Sequence, residues 1–534
     1  MKNKAAALLL STVFMLPLSA LSTSTFAQSI QQGTLGAAQD FDAGTLSFAS
    51  GGLDPALWSG TSAATAKALI EAAPVNSKNP VIADMVRTVI LTGGVPPEGA
   101  GTEYGRTRLS AVMLLNDPAA LEGVSRRLPE LTANSAVRAD LALASGDIAG
   151  ACTMADSVTE GRGEPIWARL RAFCHTVRGE IPAAELTANL LKKSGYEDAL
   201  FYGLMNRLTG ISKEPLPSNL GAEPLYKAMA GAVSAGGDAA STVPVTANAA
   251  AALAKDQSAD KDLRLSSLFA AGAALSDGDI EGILNGLIYD GVEVEGLDAA
   301  SNFDIDTAMS DKSALGFAQL FQLTKRGSGP AMTALLKRTK AAGALPRFAN
   351  LLKLEITNLQ AGEKIDDLAL YADIAVTQDD IAALQSLFTV LPDGDAKSRI
   401  AFAADAIGQG FRLGTLGQDI ESRLGSQGAK GQRALRDALI ALSLGSVMSE
   451  TGAAGLTGAK SAGGRKVAAG DLAILRSAAK AGSRAETTLR AAKILEGDTL
   501  DSVSFAAVID VLTSAQLNDF AGRLAAQDFL STLE

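Results

Sequence analysis

Histidine is almost missing from this chain, since His175 is the only one in 534 residues. Cysteine is nearly as scarce, with Cys152 and Cys174 alone. A zinc site draws on several imidazole or thiolate ligands, and a nucleophilic triad needs a positioned imidazole base. One histidine beside a cysteine expected to be oxidised supplies neither, which excludes a Ser-His-Asp hydrolase on inventory. Aromatic residues make up only 5% of the chain although 47% of it is hydrophobic. The apolar content is therefore largely Ala and Leu, helix formers whose compact packing lets helices approach closely. Alternating strand patterns are nearly absent, and Val292–Val294 is too short to count. Positive charge is also in deficit, with 47 Lys and Arg against 58 Asp and Glu. Such a chain is repelled by nucleic acid and by anionic lipid, so neither is an expected partner.

Long apolar runs are confined to the start. Lys2 and Lys4 precede the apolar Ala5–Leu21, and Thr25-Phe26-Ala27 offers small residues for cleavage. This predicts a secretory signal peptide over residues 1–27, cleaved after Ala27, and a periplasmic location. No cysteine adjoins the cleavage site, which argues against a lipid anchor. Cleavage removes two lysines and no acid, taking the formal net charge from −11 to −13. Nothing downstream approaches the ~18 unbroken apolar residues of a membrane span, so none is expected in the mature chain.

What is present is helical punctuation. Asp140–Ala151 and Phe173–Ala184 align at a fixed offset. Each shows a helix tail, then Gly, an acid, Ile and a small-residue helix start. Glycine closes one helix in the left-handed conformation and the acid caps the next. Gly-acid pairs return at Gly278-Asp279, Gly362-Glu363, Gly470-Asp471 and Gly497-Asp498 without one fixed period, so the repeats are degenerate. The central Ser135–Leu208 stretch resembles tetratricopeptide-like repeats in period and hairpin layout. It does not reproduce that family's Trp, Gly-Tyr, Ala and Phe positions. The resemblance implies an α-solenoid of antiparallel helix hairpins with a concave surface for peptide or protein ligands.

The expected fold class is all-α, and the expected organisation follows from composition. A flexible leader spans 28–53, with Leu46–Phe48 docking on the first helices, and an N-terminal helical array spans 54–289. An acidic boundary loop spans 290–312, a second array 313–451, a Gly/Ala-rich loop 452–466 and the C-terminal helices 467–534. Among individual helices, Pro80–Leu91 should be capped by Asn79, with Ile82, Met85, Val86, Val89 and Ile90 on one face. Arg347–Leu359 reads as one helix. Ser514 reads as the N-cap of the last helix, whose Phe520, Leu524 and Phe529 face the helix before it.

Cys152 and Cys174 fall about level on antiparallel helices either side of a turn near Gly161–Gly163. An oxidising compartment should join them, closing a loop that stabilises the fold by roughly 3 kcal/mol. His175 is expected to pack or face solvent. Tyr202-Gly-Leu-Met-Asn206 resembles the Gly-Leu-Met-Gln element of soluble lytic transglycosylases, with Asn206 in place of glutamine and no Glu-Ser pair upstream. Gly458-Ala-Lys460-Ser461 lacks the Gly-Lys spacing and the preceding strand of a phosphate-binding loop. The acids of Asp290–Asp311 lack the ordered spacing of a calcium loop. Lys337, Arg338 and Lys340 form one basic, solvated helix face. No catalytic, cofactor-binding or metal-ligating residue is expected. The functional expectation is a non-catalytic exported scaffold or protein/peptide-binding protein of the periplasm or cell envelope. The alternative is a cell-wall or polysaccharide enzyme using paired carboxylates on an all-α scaffold.

Overall fold

In the computed structural model the described residues are 44–533 apart from 76, 116, 129–133, 216–219, 221–222, 237–246, 290–304, 363–364, 366, 409–419 and 460–462. Outside them lie the expected signal peptide, the leader up to residue 43, Val292–Val294, most of the acidic loop, and Lys460-Ser461. The first residues of a helix expected over Leu416–Leu424 lie there as well, with 420–424 helical. The described chain is all-α, and its only β pairing consists of three isolated bridges. No helix in it is long and apolar enough to cross a membrane.

Local signals set the helix ends. The Asn79 side chain accepts hydrogen bonds from Val81 and Ile82 N–H, and Pro80 occupies the first turn, where its missing N–H costs nothing. All five residues assigned to the inner face of that helix are buried. Asp117, Asp147, Asp198, Asp367, Asp380 and Asp501 cap later helices in the same way.

Two hydrophobic cores result. The larger draws on residues from Leu53 to Leu128 and from Ala250 to Leu530. The smaller draws on Ala139 to Ala230 and contains both cysteines. The Ser135–Ala144 helix serves both. Its Ala139 and Leu143, one turn apart, enter the smaller core, while Val137, Leu141 and Ala144 pack against the larger. Asn248 Nδ2 adds a 2.8 Å hydrogen bond to the Ser145 carbonyl across the same junction.

The larger core joins the two ends of the described chain. Ala485 N–H donates to the Leu57 carbonyl at 2.8 Å, and Thr61 Oγ1 donates to Glu486 at 2.8 Å. Arg523 reaches Asp84 at 2.7 Å, and Asn79 Nδ2 reaches Gln527 at 3.1 Å. Two helices approach closely at Gly522, where a Cβ would stand 2.3 Å from the Ala406 carbonyl oxygen. Glycine there lets Asn518–Leu530 lie against Asp395–Ile407, and Phe529 then meets Phe402 at a ring separation of 5.5 Å.

Several expectations change. The described flanks of the 290–312 stretch do not separate two cores. Phe269 on one side and Phe317 and Phe348 on the other stack edge-on at 5.2–5.8 Å, and Ile305–Ser310 is helical. The 452–466 stretch begins inside a helix, Glu450–Gly458, capped by Ser449. Gly452 is small there because a Cβ would meet Glu421 and Met448 at 2.6 Å, which is a packing role rather than a flexible one. Arg347–Leu359 is two helices, Leu345–Leu351 and Lys353–Gly362, broken where Leu352 turns into the core. Ser514 ends its helix instead of starting the next, and the chain turns through Gln516 at φ 60°. In the leader Leu46 pairs with Leu91 and Gly93, but Phe48 is 70% exposed.

Candidate functional site

The smaller core has a polar centre built on Arg169, from the Pro165–Val177 helix. Its guanidinium bonds Glu223 at 2.6 Å and the Tyr226 hydroxyl at 2.7 Å, and lies 3.9 Å from Asp198. The rings of Tyr196 and Tyr226 flank it at 5.4 and 5.7 Å, within cation–π range. Asp198 is fully committed. One oxygen accepts from Phe201 N–H to cap its helix, and the other accepts from the Tyr196 and Tyr226 hydroxyls. These bonds hold its carboxyl below the usual range against the opposing effect of burial, whereas burial and the adjoining carboxylates push the Tyr226 hydroxyl far up.

Asp140 is the exception in that centre. Burial, reinforced by the Glu223 charge and only partly offset by Arg169, raises its carboxyl to about 7. Asp140 therefore sits beside two carboxylates, Asp198 and Glu223, that are already bonded within the centre.

The expected residues fall around this centre. Cys152 and Cys174 are buried and stand at disulfide distance with a Cα–Cα separation of 5.6 Å. His175 is half-buried and meets Glu180 at 2.6 Å. In the Tyr202–Asn206 segment Leu204 and Met205 face the core and Asn206 faces solvent, so the segment packs as an ordinary amphipathic helix. Outside this centre, the Lys337, Arg338, Lys340 face is not simply solvated. Lys337 pairs with Asp367 and Lys340 with Asp373, both at 2.8 Å. Arg338 lies over the Phe317 ring and bonds three carbonyls.

One cleft was not anticipated from the sequence. About 450 Å³ in volume, it lies where the leader meets the last helices and is lined by Phe48, Asp84, Asp379, Gln516, Asp519 and Arg523, among others. Asp379 and Gln516 are the non-glycine residues at positive φ among the described residues, at 54° and 60°. Such backbone costs roughly 1–2 kcal/mol per residue. Burial raises the Asp379 carboxyl, with Asp519 adding to the effect and Arg523 opposing it. Arg523 also bonds Asp519 at 2.7 Å. Nothing in the local sequence announces this cleft, because Phe48, Asp84, Asp379 and Asp519 come to it from separate stretches of the chain.

The smaller core also has an unpartnered side. Helix Ile181–Lys193 buries Ala184 and Leu191, yet Leu186 and Leu190, one turn apart, are 61% and 58% exposed. Together these features define a class: an all-α protein of packed helix pairs with two hydrophobic cores. Comparison of the chain with protein-family models, with curated proteins and with solved structures finds no match.

Proposed function

We propose that this is a non-catalytic, exported helical-repeat protein of the periplasm or cell envelope that binds a protein or peptide. Its helix pairs are read as a degenerate, tetratricopeptide-like solenoid. The observation that carries the reading is the Leu186–Leu190 stripe, two large apolar side chains left in water on a helix otherwise packed against its neighbour. Burying both against a partner would contribute on the order of 3 kcal/mol, enough to matter in a weak or moderate complex. The signal-like first 27 residues and the disulfide-distance cysteines support export, since that pairing persists in oxidising compartments. The test is L186D/L190D. The expected outcome is loss of partner capture from envelope extract, with the melting temperature unchanged because neither side chain is in the core. Undiminished capture would contradict the reading.

A second reading, a cell-wall or polysaccharide enzyme, is favoured by one observation: the raised Asp379 carboxyl beside Asp519 in an acidic cleft. It ranks second because Asp519 is ion-paired with Arg523. A peptidoglycan-degradation assay separates the two.

A further inference from the structure

A second cleft, about 650 Å³ in volume, lies elsewhere, between the starts of Asp395–Ile407 and Ala429–Ser443 and Thr532. In a chain with an excess of acids, its walls are cationic. Arg399, Arg423, Lys430 and Arg433 line it, and Asp395 is the only acid among the lining residues. Asp395 is shared, accepting from Arg399 at 2.8 Å and from Arg423 at 2.6 Å. Behind the wall, fully buried Asp437 lies 2.9 Å from Arg433 and 3.5 Å from Arg399. The nearby Asp528 is held by Arg436 and also lies 3.2 Å from Arg433, so it offsets part of the charge on that wall. Lys430 is exposed and makes no ion pair among the described residues. With Arg436 counted beside the four lining cations, five cations face Asp395, Asp437 and Asp528 among the described residues, an excess of two positive charges.

The geometry favours a ligand over a purely structural network. A structural network tends towards neutrality, because each buried unpaired charge is costly. Here the guanidinium groups are mostly buried, but exposed Lys430 brings the excess to the open cleft, and a guanidinium can donate to more than one oxyanion. Both bordering helices begin at glycine N-caps, Gly394 and Gly428, that bring no side-chain acceptor to their first amides. Helix starts carry partial positive charge, which adds to the arginine field.

We propose that this cleft is a binding site for a dianionic oxyacid group, a phosphate monoester or a dicarboxylate, carried on a small ligand. The site is independent of the Leu186–Leu190 surface. The test uses the full-length mature chain at low ionic strength and titrates inorganic phosphate, succinate and, as a monoanion control, acetate by calorimetry. The expected result is saturable binding of phosphate or succinate with acetate weaker. Binding of phosphate alone identifies the phosphate source, of succinate alone the carboxylate source, and of both a general dianion site. Lys430→Glu, which touches no buried pair, should weaken binding about tenfold or more and leave the melting temperature unchanged. Arg423→Gln serves as the second variant and should weaken binding in the same direction. No saturable binding of either dianion, or binding indifferent to Lys430→Glu, overturns the proposal.

Discussion

The two cores are built from the same alphabet of Ala, Leu and capping acids, but they close over different distances. The smaller assembles from consecutive helices between Ser135 and Gly236, and its last helix packs back on its first. The larger needs helix Pro80–Leu91 to meet Arg484–Leu495 and Asn518–Leu530, so its order depends on chain segments more than 400 residues apart. Local closure costs little loop entropy and non-local closure costs more, so the smaller core has the means to form first and alone. The smaller also holds the cysteines, which lock a loop already short. Its polar centre is bonded among residues of that core alone, whereas the larger core relies on side chains reaching across the junction of its ends.

The largest expected effect breaks the smaller core alone. Removing the disulfide with C152S/C174S should lower its stability by roughly 3 kcal/mol, the loop-closure value for a 22-residue separation. Native-state hydrogen exchange should then speed up in Ser135–Gly236 and leave the Asn518–Leu530 helix protected. Equal loss of protection in both would show that the cores unfold as one.

Gly522→Ala is the converse. A methyl 2.3 Å from the Ala406 carbonyl oxygen forces the last helix away from Asp395–Ile407. The cost should be about 1–3 kcal/mol, as for other overpacked sites. It should fall on the larger core, with exchange around the cysteines unchanged.

The third prediction sharpens the comparison through pH. The Asp140 carboxyl titrates near 7 when folded and near ~4 when unfolded. The folded state thus binds the proton more tightly. Its contribution is full below about pH 4 and is lost as pH rises through about 7. Denaturant melts should show the smaller core weakening over that window. Asp140→Asn, neutral throughout, should flatten the slope and raise stability at pH 8 by on the order of 1–2 kcal/mol, after allowance for partial exposure. A slope unchanged by the substitution would mean that Asp140 is solvated.

The local chemistry was legible in the residues. Asn79 with Pro80 marked a helix start, and the 22-residue spacing of the cysteines on neighbouring helices predicted their approach; Gly146-Asp147 and Gly179-Glu180 marked hairpin turns, whereas Gly278-Asp279 and Gly470-Asp471 lie within the first turns of helices. Misreadings arose where a residue's role depends on what lies opposite it. Gly452 reads as loop because glycine frees the backbone, but Glu421 and Met448 beside it give its smallness a packing purpose. Ser514 reads as a cap because serine is a good one, but the turn passes through Gln516 and the helix starts later. The candidate sites were less visible still. Arg399, Arg423 and Arg433 are unremarkable in their own segments, and so are Asp379 and Asp519.

By itself the sequence determined the helical state and the hairpin spacing, because capping, propensity and apolar period act within one or two turns of chain. Only the tertiary structure decided that there are two cores, that the larger joins the two ends, and that cations collect in one cleft. Those outcomes depend on which faces meet after the backbone has turned many times, and no local pattern carries that information.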